Sequence, residues 1–334
     1  MAGWLIRLPM RVVGWGLALV GAVALLLTAM IATPLKNPPE LRSLSAARKN
    51  VDFSTLPAIE RFQARDGTLL GFRHYSANGP PSSRAAIVIH GSSGSSGTSI
   101  HALSEALAAR GIETWAIDVR GHGTSGTRGD IGYVGQLEDD LDDFVAVVRR
   151  VAPSLPITLI GHSAGGGFAL RVAGSPIKNL FARTVLLAPY LGYDAPTNRP
   201  NSGGWASADI PRILGLAALR KLGIDCCEAL PTLAFAVPPN SSSLLVPAYS
   251  DRLMRNFATR GYRTDLAAAT SPLTIISGAA DELMLADKYL EAVRGIVPPV
   301  DVKLLDGVDH IGIVSDPRAI SAVANDVASA RMGS

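Results

Sequence analysis

The sequence predicts an α/β fold: a mostly parallel sheet flanked by helices, with an inserted cap and an N-terminal transmembrane helix ahead of it. Three features lead there. From about residue 59, short apolar runs alternate with helix-like segments, the rhythm of parallel strands joined by crossover helices. Where one apolar run gives way to a helix lies Gly161-His-Ser-Ala-Gly165, a G-x-S-x-G pentapeptide. Residues 12–32 carry no charge and are long enough as a helix to cross a bilayer.

Taken in order, residues 59–76 open the body as an antiparallel pair turned at Asp66-Gly67, a dipeptide suited to a tight hairpin. Ala85-Ala-Ile-Val-Ile-His90 is almost wholly apolar, as a strand buried on both faces would be. A helix over 101–110 closes at Gly111, where a left-handed cap favours the absence of a Cβ. Residues 112–118 form the next strand and 137–151 the next helix. The strand 156–160 leads through Ser163 into a helix over 165–173, and the strand 184–188 follows. The rhythm then breaks. Residues 191–270 hold Pro, Asn and Ser clusters and one apolar helix candidate at 210–222. A structureless loop of that length does not suit a compact domain, so this segment reads as a cap with its own helices. Alternation resumes with the strand 273–277, the helix 286–294, the strand 300–305 and a closing helix over 316–332.

The chain therefore divides into an anchor (1–33), a linker (34–58), a core (59–190 and 271–334) and the cap (191–270). As a helix, residues 12–32 reach about 31 Å, close to the thickness of a hydrocarbon core. Arg7 and Arg11 precede them and favour a cytoplasmic N-terminus, which puts the body of a single-pass protein on the non-cytoplasmic side. Lys36, Arg42, Arg48 and Lys49 pull the other way. A cleaved signal peptide is the competing reading. Its apolar region usually runs about 7–15 residues to a small-x-small site, and Thr28-Ala-Met-Ile-Ala32 offers no clean match. The linker, with Pro34, Pro38 and Pro39, is expected to lift the body off the bilayer.

Composition excludes other classes. At 48% hydrophobic and 18% charged residues, the chain is neither disordered nor fibrous. Six of its 31 basic residues but one of its 28 acidic residues lie in 1–50, so the body carries 25 against 27 and offers no basic surface for nucleic acid. Cys226 and Cys227 are adjacent, which implies no disulfide framework; two buried thiols are expected. No His lies near them in sequence and no G-x-x-x-x-G-K-[ST] is present, so neither metal nor cofactor is implied. Asp139, Asp140, Asp142 and Asp143 fall in the first turns of a helix, where its dipole favours carboxylates.

The chemistry centres on Ser163. The glycines around it permit a turn too tight for bulkier residues, and the helix behind it offers free N–H groups to developing negative charge. A serine hydroxyl is a poor nucleophile without a base oriented by a third group. Of six histidines, His310 stands in Gly307-Val-Asp-His-Ile-Gly312 on the loop after the final strand. Asp281 follows the strand 273–277, and the pair completes the chain order Ser, Asp, His. Asp281 is preferred as the acid over its neighbour Glu282 and over Asp309, whose expected role is to stabilise its own turn. The loop His90-Gly-Ser-Ser-Gly-Ser-Ser-Gly97 leaves a buried strand with small side chains that do not obstruct the backbone. The N–H groups of Ser92 and Ala164 are expected to form an oxyanion hole.

His90-Gly91, Asp118-Val-Arg-Gly-His-Gly123, Gly161-His-Ser-Ala-Gly165, Gly278-Ala-Ala-Asp281 and the His310 loop together resemble the monoacylglycerol lipase and lysophospholipase branch of the α/β-hydrolases, also grouped with serine aminopeptidases. The resemblance covers about residues 59–330, apart from most of the cap. One departure is that Gly121-His-Gly-Thr-Ser-Gly126 lacks the spacer of the family's G-H-G-x-S-x-G. The resemblance and the N-terminal anchor together suggest a serine esterase acting on a lipophilic ester, such as a monoacylglycerol or lysophospholipid, with the apolar cap helix at 210–222 lining the acyl site. A peptidase or amidase of the same fold, and a non-catalytic ligand-binding protein, are the alternatives.

Overall fold

The computed structural model describes residues 7–41, 52–79, 82–238 and 244–329. A 25-residue helix, α1 (Arg7–Ile31), leads the chain. The body follows with β1 (Glu60–Gln63), β2 (Leu69–Tyr75), β3 (Ala85–Ile89), α2 (Ile100–Ala109), β4 (Glu113–Ile117), α3 (Gln136–Val151), β5 (Ile157–His162), α4 (Ala164–Ala173) and β6 (Arg183–Leu187). After these come β7 (Ala206–Ala208), α5 (Ile210–Lys221), β8 (Pro231–Phe235), β9 (Ala248–Ser250), α6 (Asp251–Asn256) and α7 (Tyr262–Ala268). The chain ends with β10 (Leu273–Gly278), α8 (Tyr289–Ala292), β11 (Asp301–Leu305), α9 (Gly312–Ser315) and α10 (Pro317–Ser329).

Eight strands form one sheet in the order β1-β2-β4-β3-β5-β6-β10-β11. β1 and β2 pair antiparallel at one edge, and every pairing from β4 to β11 is parallel. The central strands explain the layering. Every residue of β3 is buried, and alternate side chains go to opposite faces. Ile87 and Ile89 join the cluster of Leu141 and Phe144 on α3 and Phe168 on α4. Ala86 and Val88 join Leu103 and Leu107 on α2 and Val323 on α10. A strand apolar at every position is thus satisfied on both sides by helices.

The expected strands are present within a residue or two. The expected helix at 286–294 is instead a 3₁₀ turn, Ala286–Lys288, followed by the single turn α8. The closing helix ends at Ser329, and positions 330–332 of the expectation lie outside the described residues. Between β6 and β10 the one expected helix stands as α5, but a three-stranded antiparallel sheet, β7-β8-β9, accompanies it. Its strands have three to five residues each and include Pro231, too short and too mixed to show a period of two. Both cysteines are exposed, which corrects the expectation of buried thiols; their Sγ atoms lie 2.9 Å apart. The acidic run on α3 is ion-paired as well as helix-favoured, Asp139, Asp142 and Asp143 on Arg65 and Asp140 on Arg120.

Residues 12–31 of α1 form an exposed apolar span with a mean hydropathy of 2.2. Its last turn does not stand clear of the body. Arg212 on α5 donates to the main-chain oxygens of Ile31 and Thr33, and Thr33 Oγ1 donates to Asp209 at 2.7 Å. Leu41 packs on the body's main apolar cluster, so the first part of the expected linker lies along the protein. Residues 42–51 of that linker are outside the described residues.

Candidate active site

Ser163 occupies the one-residue turn between β5 and α4 with φ 56° and ψ −120°, a strained backbone for a residue with a side chain. Its neighbours make the turn possible. A Cβ at Gly161 would meet the carbonyl oxygen of Gly165 at 2.1 Å, and one at Gly165 would meet that of His90 at 2.3 Å. The turn is pinned to β6 and the residues after it, by Ser163 N–H to Leu187 O at 2.9 Å and Tyr190 N–H to Ser163 O at 3.0 Å. As the first residue of α4, Ala164 has no carbonyl four residues back within the helix to take its N–H.

His310 and Asp281 come from the loops after β11 and β10, neighbouring strands of the same sheet. Both are buried, and His310 Nδ1 donates to Asp281 Oδ2 at 2.8 Å. The other carboxylate oxygen accepts the N–H groups of Leu283 and Met284, each at 2.8 Å. Burial works against the charge on Asp281. His310 and the two N–H donors outweigh it, so the carboxyl group stays below its ordinary range. With Nδ1 committed to Asp281, Nε2 is the nitrogen left to accept a proton.

The neighbours of the pair have separate tasks. Glu282 accepts the main-chain N–H of His310 at 3.0 Å, a hold on the loop that sequence reasoning missed. Asp309 accepts the N–H of Gly312 at 2.6 Å and so stabilises its own turn. His162 Nε2 donates to the carbonyl of His310 at 3.0 Å, tying that loop to the turn beside Ser163.

Ser163, His310 and Ser92 line one cavity. Ser92 leads the turn Gly91–Gly94, closed by Gly94 N–H to Gly91 O at 3.1 Å, and its own N–H donates to no protein atom among the described residues. Asp118 braces this loop by accepting Ser96 N–H at 2.7 Å, and His90 Nε2 accepts Val119 N–H at 3.2 Å. Trp205, also missed from the sequence, closes one side of the cavity. It is buried, stacks on Phe235 and donates from Nε1 to Ser92 Oγ at 2.8 Å. The helix expected to line an acyl site does not border this cavity: among the described residues between β6 and β10, only Trp205 does. Its reach to Ser92 spans 113 residues of sequence, and no local pattern announces it.

The arrangement supplies a hydroxyl on a strained turn, an imidazole oriented by a carboxylate, and the main-chain N–H of Ser92 at the same cavity. Those are the parts of nucleophilic acyl transfer.

Residues 80–226 match the family described as serine aminopeptidase, S33, a stretch that includes Ser92, Ser163 and Ala164 and stops before Asp281 and His310. A monoacylglycerol lipase of Mycolicibacterium smegmatis is 26% identical over 239 residues, 69% of this chain and 81% of its own length. Mouse monoglyceride lipase is 28% identical over 152 residues, 45% of this chain and 48% of its own. Among solved structures, a soluble variant of monoglyceride lipase from Saccharomyces cerevisiae in complex with a substrate analogue gives a TM-score of 0.62 at 17% identity, covering 82% of this chain and 94% of that one. The monoacylglycerol lipase of Paleococcus ferrophilus gives 0.56 at 16% identity, covering 78% and 98%. At such identities the structural likeness bears on the fold.

Proposed function

The chain is an α/β-hydrolase of the serine aminopeptidase S33 type, similar to monoacylglycerol lipases, and from that premise we propose that it hydrolyses a lipophilic carboxylic ester of the monoacylglycerol or lysophospholipid kind. Ser163 Oγ attacks the ester carbonyl while His310 Nε2 takes its proton, and Asp281 stabilises the resulting imidazolium. The N–H groups of Ser92 and Ala164 receive the oxyanion, each worth about 3–4 kcal/mol in the transition state. His310 then protonates the departing alkoxide. Water, activated by the same imidazole, releases the acid from Ser163.

The observation that carries this reading is the 2.8 Å bond from His310 to Asp281 beside the strained turn of Ser163, all at one cavity. An aminopeptidase would have to bind a substrate ammonium, and among the described residues none that lines the cavity carries a carboxylate. A single-pass anchor in α1, with the body on the non-cytoplasmic side, would hold the enzyme where such esters dissolve. The test is labelling of the full chain with a fluorophosphonate, followed by hydrolysis of esters and matched amides of graded acyl length. Labelling that Ser163→Ala abolishes, with esters turned over faster than amides, is expected. An unlabelled wild-type protein would remove the proposal.

A further inference from the structure

His122, in the Gly121-His-Gly123 segment, has no part in the chemistry above, yet it is fully buried beside the loop that carries Ser92. Its Nδ1 donates to the carbonyl of Arg120 at 3.3 Å, which leaves Nε2 to accept the hydroxyl of Tyr249 at 2.5 Å. The same phenolic oxygen accepts the main-chain N–H of Ser93 at 2.8 Å. Burial, reinforced by the neighbouring His90, holds this imidazole well below its ordinary pKa, and burial raises that of the phenol. The imidazole is therefore neutral and the phenol protonated. The donors run one way, from Ser93 N–H to the tyrosine oxygen and from the tyrosine O–H to His122.

Ser93 needs such a hold. Its φ is 64°, a conformation that costs a residue other than glycine about 1–3 kcal/mol and persists only where the surroundings fix it. Its own Oγ is buried without a hydrogen bond and contributes nothing to the hold. The second hold on its backbone is Val246 N–H to Ser93 O at 3.0 Å. Both holds therefore come from the segment between β6 and β10. Ser92, one residue earlier in the same tight turn, cannot keep its N–H aimed if Ser93 relaxes to negative φ.

We propose that Tyr249, oriented by His122, is a positioning residue for the oxyanion hole, fixing Ser93 so that the N–H of Ser92 points into the cavity. The inference rests on the reading of Ser92 as an oxyanion donor. It makes the segment around β9 part of the catalytic geometry as well as a cover, and it gives the Gly-His-Gly segment a task.

Tyr249→Phe removes the hydroxyl and keeps the ring against Phe235 and His122. In the full-length enzyme, with a short-chain p-nitrophenyl ester, kcat is expected to fall about tenfold to a hundredfold while KM stays within about twofold. The inhibition constant of an alkyl boronic acid, whose adduct on Ser163 is tetrahedral, should rise by the factor by which kcat/KM falls. His122→Asn should behave alike. A merely structural hydroxyl would lower the melting temperature without that proportionality. Wild-type kcat and boronate affinity in Tyr249→Phe would overturn the inference and leave the hydrolase reading standing. A wild-type enzyme that neither hydrolyses the ester nor binds the boronate would overturn both.

Discussion

Arg212 Nε donates to the main-chain oxygen of Ile31 at 2.8 Å, fastening the last residue of α1 to the first turn of α5. The guanidinium is buried, and Thr33 and Pro231 supply its other carbonyl acceptors. Gly215, one turn further on, gives α1 room: a Cβ there would stand 3.0 Å from Ile31 and 3.2 Å from Met30. A chain shortened to begin at Lys36 therefore loses more than the proposed anchor. It leaves a buried cation without two of its acceptors, at a cost of about 2 kcal/mol or more. The expected outcome is a shortened protein that still hydrolyses esters but melts several degrees below the full chain. The full chain should resist carbonate extraction from membranes. Equal melting temperatures would show that the clasp contributes nothing.

Substitution of the three carboxylates around His310 separates their tasks. Asp281→Asn keeps the shape but removes the charge and favours the wrong imidazole tautomer, so kcat should fall by about ten-thousandfold. Glu282→Gln retains an oxygen for the N–H of His310 and should cost less than about fivefold, whereas Glu282→Ala frees the loop and should cost more. Asp309→Asn can still accept from Gly312 and should be nearly silent. Steady-state kinetics on the four variants decides the order. A mild Asp281→Asn beside a crippling Asp309→Asn would reverse the assignment.

The parts of this arrangement that could be read from sequence are those written locally. β3 announces itself as an unbroken apolar run, and β5 as a largely apolar one interrupted by Thr158, because helices cover both their faces. Gly161 and Gly165 mark the turn of Ser163 because any Cβ there meets backbone. Tyr249 and Trp205 were invisible for the opposite reason. Their bonds to Ser93 and Ser92 bridge 156 and 113 residues, and both sit in or beside strands too short to declare a period. Sequence passes over Glu282 because successive side chains of an extended segment face opposite sides, yet its carboxylate reaches the same loop through the backbone.

The depressed pKa of Asp281 has a consequence for stability. Burial opposes its charge, but His310 and two N–H donors more than offset this, so the folded carboxyl titrates below the unfolded one. Its contribution is thus complete above the ordinary value of about 3.9 and fades as the pH falls through the lower folded value. The difference in melting temperature between wild type and Asp281→Asn should narrow as the pH is lowered below about 3.9. A difference that failed to narrow below that pH would show that the folded carboxyl is not held below its ordinary range.

Acyl selectivity should answer to Trp205 and not to α5. The indole forms one wall of the cavity, held in place by its bond to Ser92 Oγ and its stacking on Phe235 at 5.6 Å. Trp205→Ala would remove one of the largest side chains from that wall, and each additional buried methylene of a longer acyl chain is worth about 0.8 kcal/mol. The ratio of kcat/KM for a dodecanoyl over a butyryl ester should therefore rise about tenfold or more. Leu283, on the same cavity, provides the converse: Leu283→Trp should shift preference toward the shorter ester. Ile213→Trp on α5 should leave the ratio unchanged, because that helix does not border the cavity. Trp205→Phe separates the wall from the hydrogen bond, since it keeps an aromatic surface and gives up the bond to Ser92. If the ratio follows Ile213 and ignores Trp205 and Leu283, the acyl chain lies along α5 and the cavity beside Ser163 holds only the reacting ester.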